Sequence, residues 1–263
     1  MIDCRIEKDM QRKSVCIATF NGEKYIIQQL ISILSQLAED DEVIISDDSS
    51  TDATLTLIRK LNDPRVRIFA NNKFHSPIYN FEFCLTKTTG DIIFFSDQDD
   101  IWLPEKVRDI MKVFKKDPDV TLVASNARII DFEGEMISGS FYHPGFRFTS
   151  RVLENVIKNR FLGCSIAMRR SMLQIVIPFP SRIPMHDSWL GIMNQLFGKV
   201  HFINTPLIAF RQHEVNYHPT ARTGIIRILT WRWHLIKAIF WRMLTLRFRA
   251  LAKRFICDLY STS

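Results

Sequence analysis

Apolar positions along this chain alternate between short unbroken runs and stripes spaced three or four residues apart, the signatures of buried strands and of helices with one inward face. Residues 15–18 form a first apolar run, followed by a stripe of Ile27, Leu30, Ile31, Leu34 and Leu37. The unit then repeats: residues 43–45 predict a strand, Asp47-Asp48-Ser49-Ser50 a polar loop, and Leu55, Ile58 and Leu61 a helix face. Residues 66–69 predict a third strand. Ile78, Phe81 and Leu85 then mark a helix that leads through Gly90 into the run Ile92-Ile93-Phe94-Phe95. Pro104 stands where a helix begins, with Val107, Ile110, Met111 and Phe114 turned inward, and residues 120–124 close the series. This alternation implies an α/β fold whose mostly parallel, doubly wound sheet has right-handed crossovers.

After Asn126 the rhythm changes. Residues 131–150 hold Gly134, Gly139, Pro144 and Gly145 among aromatics and read as a mobile lid. A helix over 152–159, a buried segment over 161–168, a helix over 187–197 and a strand over 200–203 follow.

Composition narrows the picture in three ways. With 263 residues, 46% of them hydrophobic and 24% charged, the chain has the apolar content for a large core, which excludes disorder. The five cysteines are widely spaced with no CxxC pair, which fits a reducing cytosol rather than a disulfide or zinc framework. Asp3, Glu7 and Asp9 interrupt any leader, and no apolar stretch approaches the roughly 18 residues of a membrane span. A cytoplasmic protein is expected. Charge is unevenly placed: residues 222–263 carry nine Lys or Arg against one acid, leaving 35 − 9 = 26 bases and 28 − 1 = 27 acids for the remainder. Trp231, Trp233, Phe240, Trp241, Phe248 and Phe255 accompany those bases, a mixture suited to an anionic membrane surface at the inner leaflet. Bases at every fifth position, from Arg222 to Arg247, spread around a helix and argue against a single clean amphipathic face. Packing on the body or on a second subunit stays open, and no nucleic-acid module is present.

The strongest chemical signal is the tetrad Asp97-Gln98-Asp99-Asp100 directly after the apolar run 92–95. Ligands gather at the carboxyl ends of parallel strands. Three carboxylates within four residues repel one another, and a hard divalent ion that also recruits phosphate oxygens relieves the repulsion. An acidic turn capping the next helix is the plainer alternative.

The segments ATFNGEKYI (18–26), ISDDSSTDAT (45–54), GDIIFFSDQDDIWLPEK (90–106), HDSW (186–189) and FRQH (210–213) together resemble an inverting family 2 glycosyltransferase of the GT-A fold, over roughly residues 13–216. The FSDQDDIW wording is similar to bacterial rhamnosyltransferases of surface polysaccharide synthesis. What the resemblance implies is a catalytic domain over 1–221, with a nucleotide-binding half (13–126) and an acceptor half (127–221), and a basic aromatic helical tail over 222–263. The implied reaction moves one sugar from dTDP-rhamnose or a UDP-sugar to a hydroxyl of a glycan or lipid-linked glycan. Thr19, Phe20, Asn21, Glu23, Asp47 and Asp48 would hold the nucleotide, with Asp47 or Asp48 accepting the N3 proton of uracil or thymine. The Asp47 loop is also compatible with a helix cap, and Asn21-Gly22 with a tight turn. Asp97 would touch the ribose or the metal, Asp99 would bind Mg or Mn directly with Asp100 behind it, His213 would complete the metal shell, and Arg211 would reach the diphosphate. Asp187 would be the base, though it could also cap a helix. Gly163, Cys164, His186 and Trp189 would line the acceptor side. Two departures stand out: Glu214-Val215-Asn216 follows RQH where relatives have Gly and Asn, and the QxxRW pattern of processive synthases is absent, so single transfers are expected. A catalytically silent nucleotide-sugar-binding partner and an Asp-dependent phosphohydrolase are the competing classes. The oligomeric state is left open.

Overall fold

The computed structural model describes residues 11–143, 145–212 and 224–261. In chain order the elements are β1 (Lys13–Thr19), α1 (Ile26–Leu34), β2 (Glu42–Asp47), α2 (Thr54–Leu61), β3 (Val66–Phe69), α3 (Pro77–Lys87), β4 (Ile92–Ser96), β5 (Ile101–Trp102), α4 (Lys106–Lys116), β6 (Val120–Ile130), β7 (Met136–Ser138), α5 (Val152–Ile157), β8 (Ile166–Arg169), α6 (Leu173–Val176), α7 (His186–Phe197), β9 (Lys199–Arg211) and α8 (Ile225–Ser261). The strands form one sheet in the order β3-β2-β1-β4-β8-β6-β9-β5, with β7 on β6. Strands β3, β2, β1, β4, β6 and β9 run one way, while β8, β5 and β7 run the other.

The runs read as buried strands are buried on both faces, and for a simple reason. Residues of β1, β2 and β4 alternate between two apolar layers, so that Val15, Ile45 and Phe94 meet α1 and α4 on one side. Cys16, Ile44 and Phe95 meet α3 and α7 on the other. A strand packed on both faces must be apolar throughout. Asn62 ends α2 in the left-handed conformation, at φ 49°, where an asparagine is tolerated.

Three expectations change. The segment over 161–168 supplies an antiparallel strand, β8, inserted between β4 and β6, so the parallel series is interrupted at its centre. The strand over 200–203 extends to thirteen residues and pairs along β6. Residues 131–150 are not an open lid. They hold β7, and their aromatics build a layer on β9: Tyr142 stacks on Phe146 at 4.0 Å and Phe148 on Phe202 at 5.0 Å between centroids.

Residues 225–261 form one helix, α8. Leu235 and Ile239 are buried against the body, and Arg242 donates to the carbonyl of Ile177 at 3.1 Å with its guanidinium 5.2 Å from the Trp189 ring centre. On another side Leu229, Trp233, Ile236, Phe240 and Met243, spaced four and three residues apart, are exposed at 41–57%. Two apolar faces on one helix hide its amphipathic character from a simple periodicity reading. No helix among the described residues is long and apolar enough to cross a membrane.

Candidate active site

The carboxyl ends of β1, β2 and β4 open onto a cavity of about 1590 Å³. That exceeds the roughly 300–1,000 Å³ of a typical small-molecule site and leaves room for two substrates. Thr19, Phe20, Asn21 and Asp48 line it at the ends of β1 and β2. The Asp48 carboxylate is aimed by backbone N–H groups of Phe74 (2.7 Å) and Ser76 (3.1 Å). Asp47 stands behind, off the cavity wall, accepting from the Thr19 hydroxyl at 3.1 Å and from Ser50 N at 2.9 Å. Asp48 thus faces a ligand while Asp47 organises the loop. Glu23 also lies off the wall, where it accepts from Ala53 N at 2.8 Å at the start of α2. Asn21 adopts φ 49° and accepts from Thr51 N at 2.9 Å, which locks the first loop onto the second.

The tetrad after β4 divides by direction. Asp97, Gln98 and Asp99 line the cavity, whereas Asp100 points inward with 1% exposure. Oδ1 of Asp100 accepts from Arg211 N at 3.0 Å, and Oδ2 has no hydrogen-bond partner. Potential ligand atoms of Asp97, Asp100 and Cys164 lie within 4.8 Å of one another. Burial, and then the neighbouring carboxylates, hold Asp97 well above the usual carboxylate range and push Asp100 up to about 7. Beneath them the buried Lys106 donates to the carbonyl of Cys164 at 2.7 Å and sits 4.2 Å from the Trp102 ring centre. Burial drives its basicity down to about 8. Hard oxygen donors crowded to the point of repulsion, with one oxygen unpartnered, fit Mg or Mn. The Cys164 thiol, which burial keeps protonated, does not suit such an ion as a ligand.

Arg211 departs from its expected role. It is 1% exposed and spends its guanidinium on the carbonyls of Asp99 (2.8 Å), Asp131 (3.0 Å) and Phe132 (3.2 Å) and on Gln28 Oε1 (2.9 Å). It ties β9 to the acidic loop from behind, off the cavity wall. His213 lies outside the described residues.

In the same cavity, the first turn of α7 presents His186 and Asp187. Asn159 Nδ2 (3.0 Å) and Ser188 N (2.6 Å) both donate to Asp187 Oδ1, and burial pushes this carboxyl up to about 6. Gly163 lines the same wall, whereas Cys164 lies behind it. Trp189 is a core residue instead: it is fully buried and its Nε1 donates to the carbonyl of Val176 at 2.9 Å.

Three residues of this site carry no expectation from the sequence. Gln98 clasps Phe20, accepting from its N–H at 2.9 Å and donating to its carbonyl at 3.0 Å, which closes the donor loops together. Its place inside the tetrad is the only hint of this. Lys106 precedes the inward stripe that begins at Val107 and nothing in that spacing marks it as buried, and Asn159 follows no pattern at all.

Residues 14–176 match the family described as Glycosyl transferase family 2. A UDP-Glc:alpha-D-GlcNAc-diphosphoundecaprenol beta-1,3-glucosyltransferase of Escherichia coli is 25% identical over 183 residues, covering 68% of this chain and 69% of its own length. A dTDP-rhamnosyl transferase of Shigella flexneri is 42% identical over 100 residues, covering 35% of this chain and 34% of its own. Among solved structures, a mannosyltransferase of Pyrobaculum calidifontis in complex with GDP-Man and Mn2+ superposes with a TM-score of 0.62 at 22% identity, over 87% of this chain and 64% of that one. The chain spans less than two thirds of that neighbour, and at such identity the likeness shows the fold, a GT-A arrangement.

Proposed function

The chain belongs to glycosyl transferase family 2, and we propose that it moves one sugar from a nucleotide-diphosphate donor to a hydroxyl of a glycan or lipid-linked glycan in bacterial surface polysaccharide synthesis. The observation that carries this reading is that Asp97, Asp99 and Asp187 line one cavity, with Asp187 near enough to raise the Asp97 carboxyl. A cluster of carboxylates suited to a diphosphate-bound cation shares the cavity with a separate buried carboxylate suited to proton abstraction.

Asp48 and the loop over 19–21 receive the nucleotide, and Gln98 keeps that loop in place. Asp97 and Asp99, backed by Asp100, would hold Mg or Mn. When bound, that ion neutralises charge on the departing diphosphate. Asn159 and Ser188 fix one oxygen of Asp187, so the other takes the acceptor proton as the acceptor oxygen bonds to the anomeric carbon and the bond to the diphosphate oxygen breaks. The displacement inverts the anomeric centre. Residues 1–221 would form the catalytic domain. The exposed apolar stripe on α8, on a tail that carries nine bases, supports association with an anionic membrane surface, where a lipid-linked acceptor resides.

The test supplies the purified chain with dTDP-rhamnose, UDP-glucose or UDP-N-acetylglucosamine, Mg or Mn, and a polyprenyl-diphosphate glycan. Release of nucleoside diphosphate with a product heavier by one sugar is expected for one donor. Phosphate release without sugar transfer would sink the reading.

A further inference from the structure

We propose that His186 is a neutral hydrogen-bonding contact for a sugar hydroxyl beside the base, and that it selects which sugar is accepted there. The proposal rests on the transferase reading above and names a further contact of the same site.

His186 is 2% exposed, and neither Nδ1 nor Nε2 has a hydrogen-bond partner. Its ring packs on Phe81 at 4.2 Å and faces Phe95 at 6.1 Å between centroids. A buried polar atom without a partner destabilises a fold, and a leucine or methionine would fill this space without that cost. The fold itself therefore makes no use of the two nitrogens. His186 is among the residues that line the cavity, as are Asp187 and Gly163. Gly163 makes way for the imidazole: a Cβ there would stand 2.8 Å from Nε2, inside any normal contact.

Burial lowers the basicity of the ring to about 3, which favours the neutral imidazole. A neutral imidazole donates through one nitrogen and accepts through the other, matching a hydroxyl that both donates and accepts. An acid at this position would only accept, and would add another negative charge to a cavity that already holds Asp97, Asp99 and Asp187. Among the described residues, no cluster of potential metal ligands includes this histidine.

The test compares His186→Leu, His186→Met and His186→Gln with the wild-type chain in steady-state transfer, varying donor and acceptor separately, with melting temperature recorded for each. Leu and Met are expected to keep or raise the melting temperature while kcat/KM falls roughly 10- to 100-fold, the loss of a hydrogen bond that leaves the substrate hydroxyl unpaired. Gln is expected to recover part of the loss. A rise in KM confined to the donor, with slower acceptor-free donor hydrolysis, assigns the hydroxyl to the donor sugar; a rise confined to the acceptor assigns it there. The acid limb of the pH profile should be the same in wild type and the Gln variant. Leu or Met variants within twofold of wild type, or Gln as impaired as both, overturn the proposal. A wild-type chain that turns over no sugar nucleotide overturns the transferase reading instead.

Discussion

At the scale of single residues, burial assigns the roles of the carboxylates more than charge does. Asp187 is raised to about 6 chiefly by desolvation, so its folded value lies above its ordinary one. Its proton is then bound more tightly in the folded chain. This group favours the fold below about pH 4, and that contribution is lost as pH rises through about 6. Replacing Asp187 with Asn should therefore raise the melting temperature at pH 7.5 while lowering transfer by about 10²–10⁴-fold, with donor-induced thermal shift retained; a variant that transfers at the wild-type rate would refute the base. For the intact enzyme, kcat/KM should fall tenfold per pH unit below about pH 6, because only the ionised carboxylate accepts the acceptor proton. A flat profile down to pH 5 would count against Asp187. The types and places of Asp97 and Asp99 were legible in the sequence, since a repulsive cluster at a strand end leaves a mark in it, whereas Asp187 was reached only through the resemblance carried by HDSW. The choice of Asp48 over Asp47 was not legible, because two adjacent aspartates differ only in which backbone N–H groups reach them.

At the scale of elements, α4 does more than cover the sheet. It drives Lys106 under the acidic loop, where the ammonium offsets Asp97 and Asp100 from the side away from solvent. Replacing Lys106 with Met removes its hydrogen bond to the Cys164 carbonyl and the positive charge near Asp97 and Asp100, and should lower the urea-unfolding midpoint. Part of that loss should be recovered with Mn present, read as a rise in the unfolding midpoint. An unchanged midpoint would show that Lys106 is dispensable. Periodicity exposed β1, β2, β4, α1 and α4, because a strand or helix buried on a fixed face repeats at a fixed period. It marked 161–168 as buried but could not show the antiparallel pairing of β8, nor the stacking of Phe148 on Phe202, because both join residues distant in sequence.

At the scale of the whole molecule, α8 presents one face to the body and another outward. The outward stripe from Leu229 to Met243 extends about 21 Å along the helix. Glutamates at both Trp233 and Phe240 should leave the melting temperature unchanged and abolish cosedimentation with vesicles rich in phosphatidylglycerol, and added salt should weaken wild-type binding. Equal binding by the double variant would remove the membrane from the account. The placing of β8 between β4 and β6 also reaches into biosynthesis. A nascent chain holds β6 long before the strand that joins it to β4 leaves the ribosome, so the centre of the sheet waits with a gap until residue 169 has emerged. Stalled chains ending near residue 150 should be protease-sensitive and chaperone-bound, and those extended past residue 211 should be resistant.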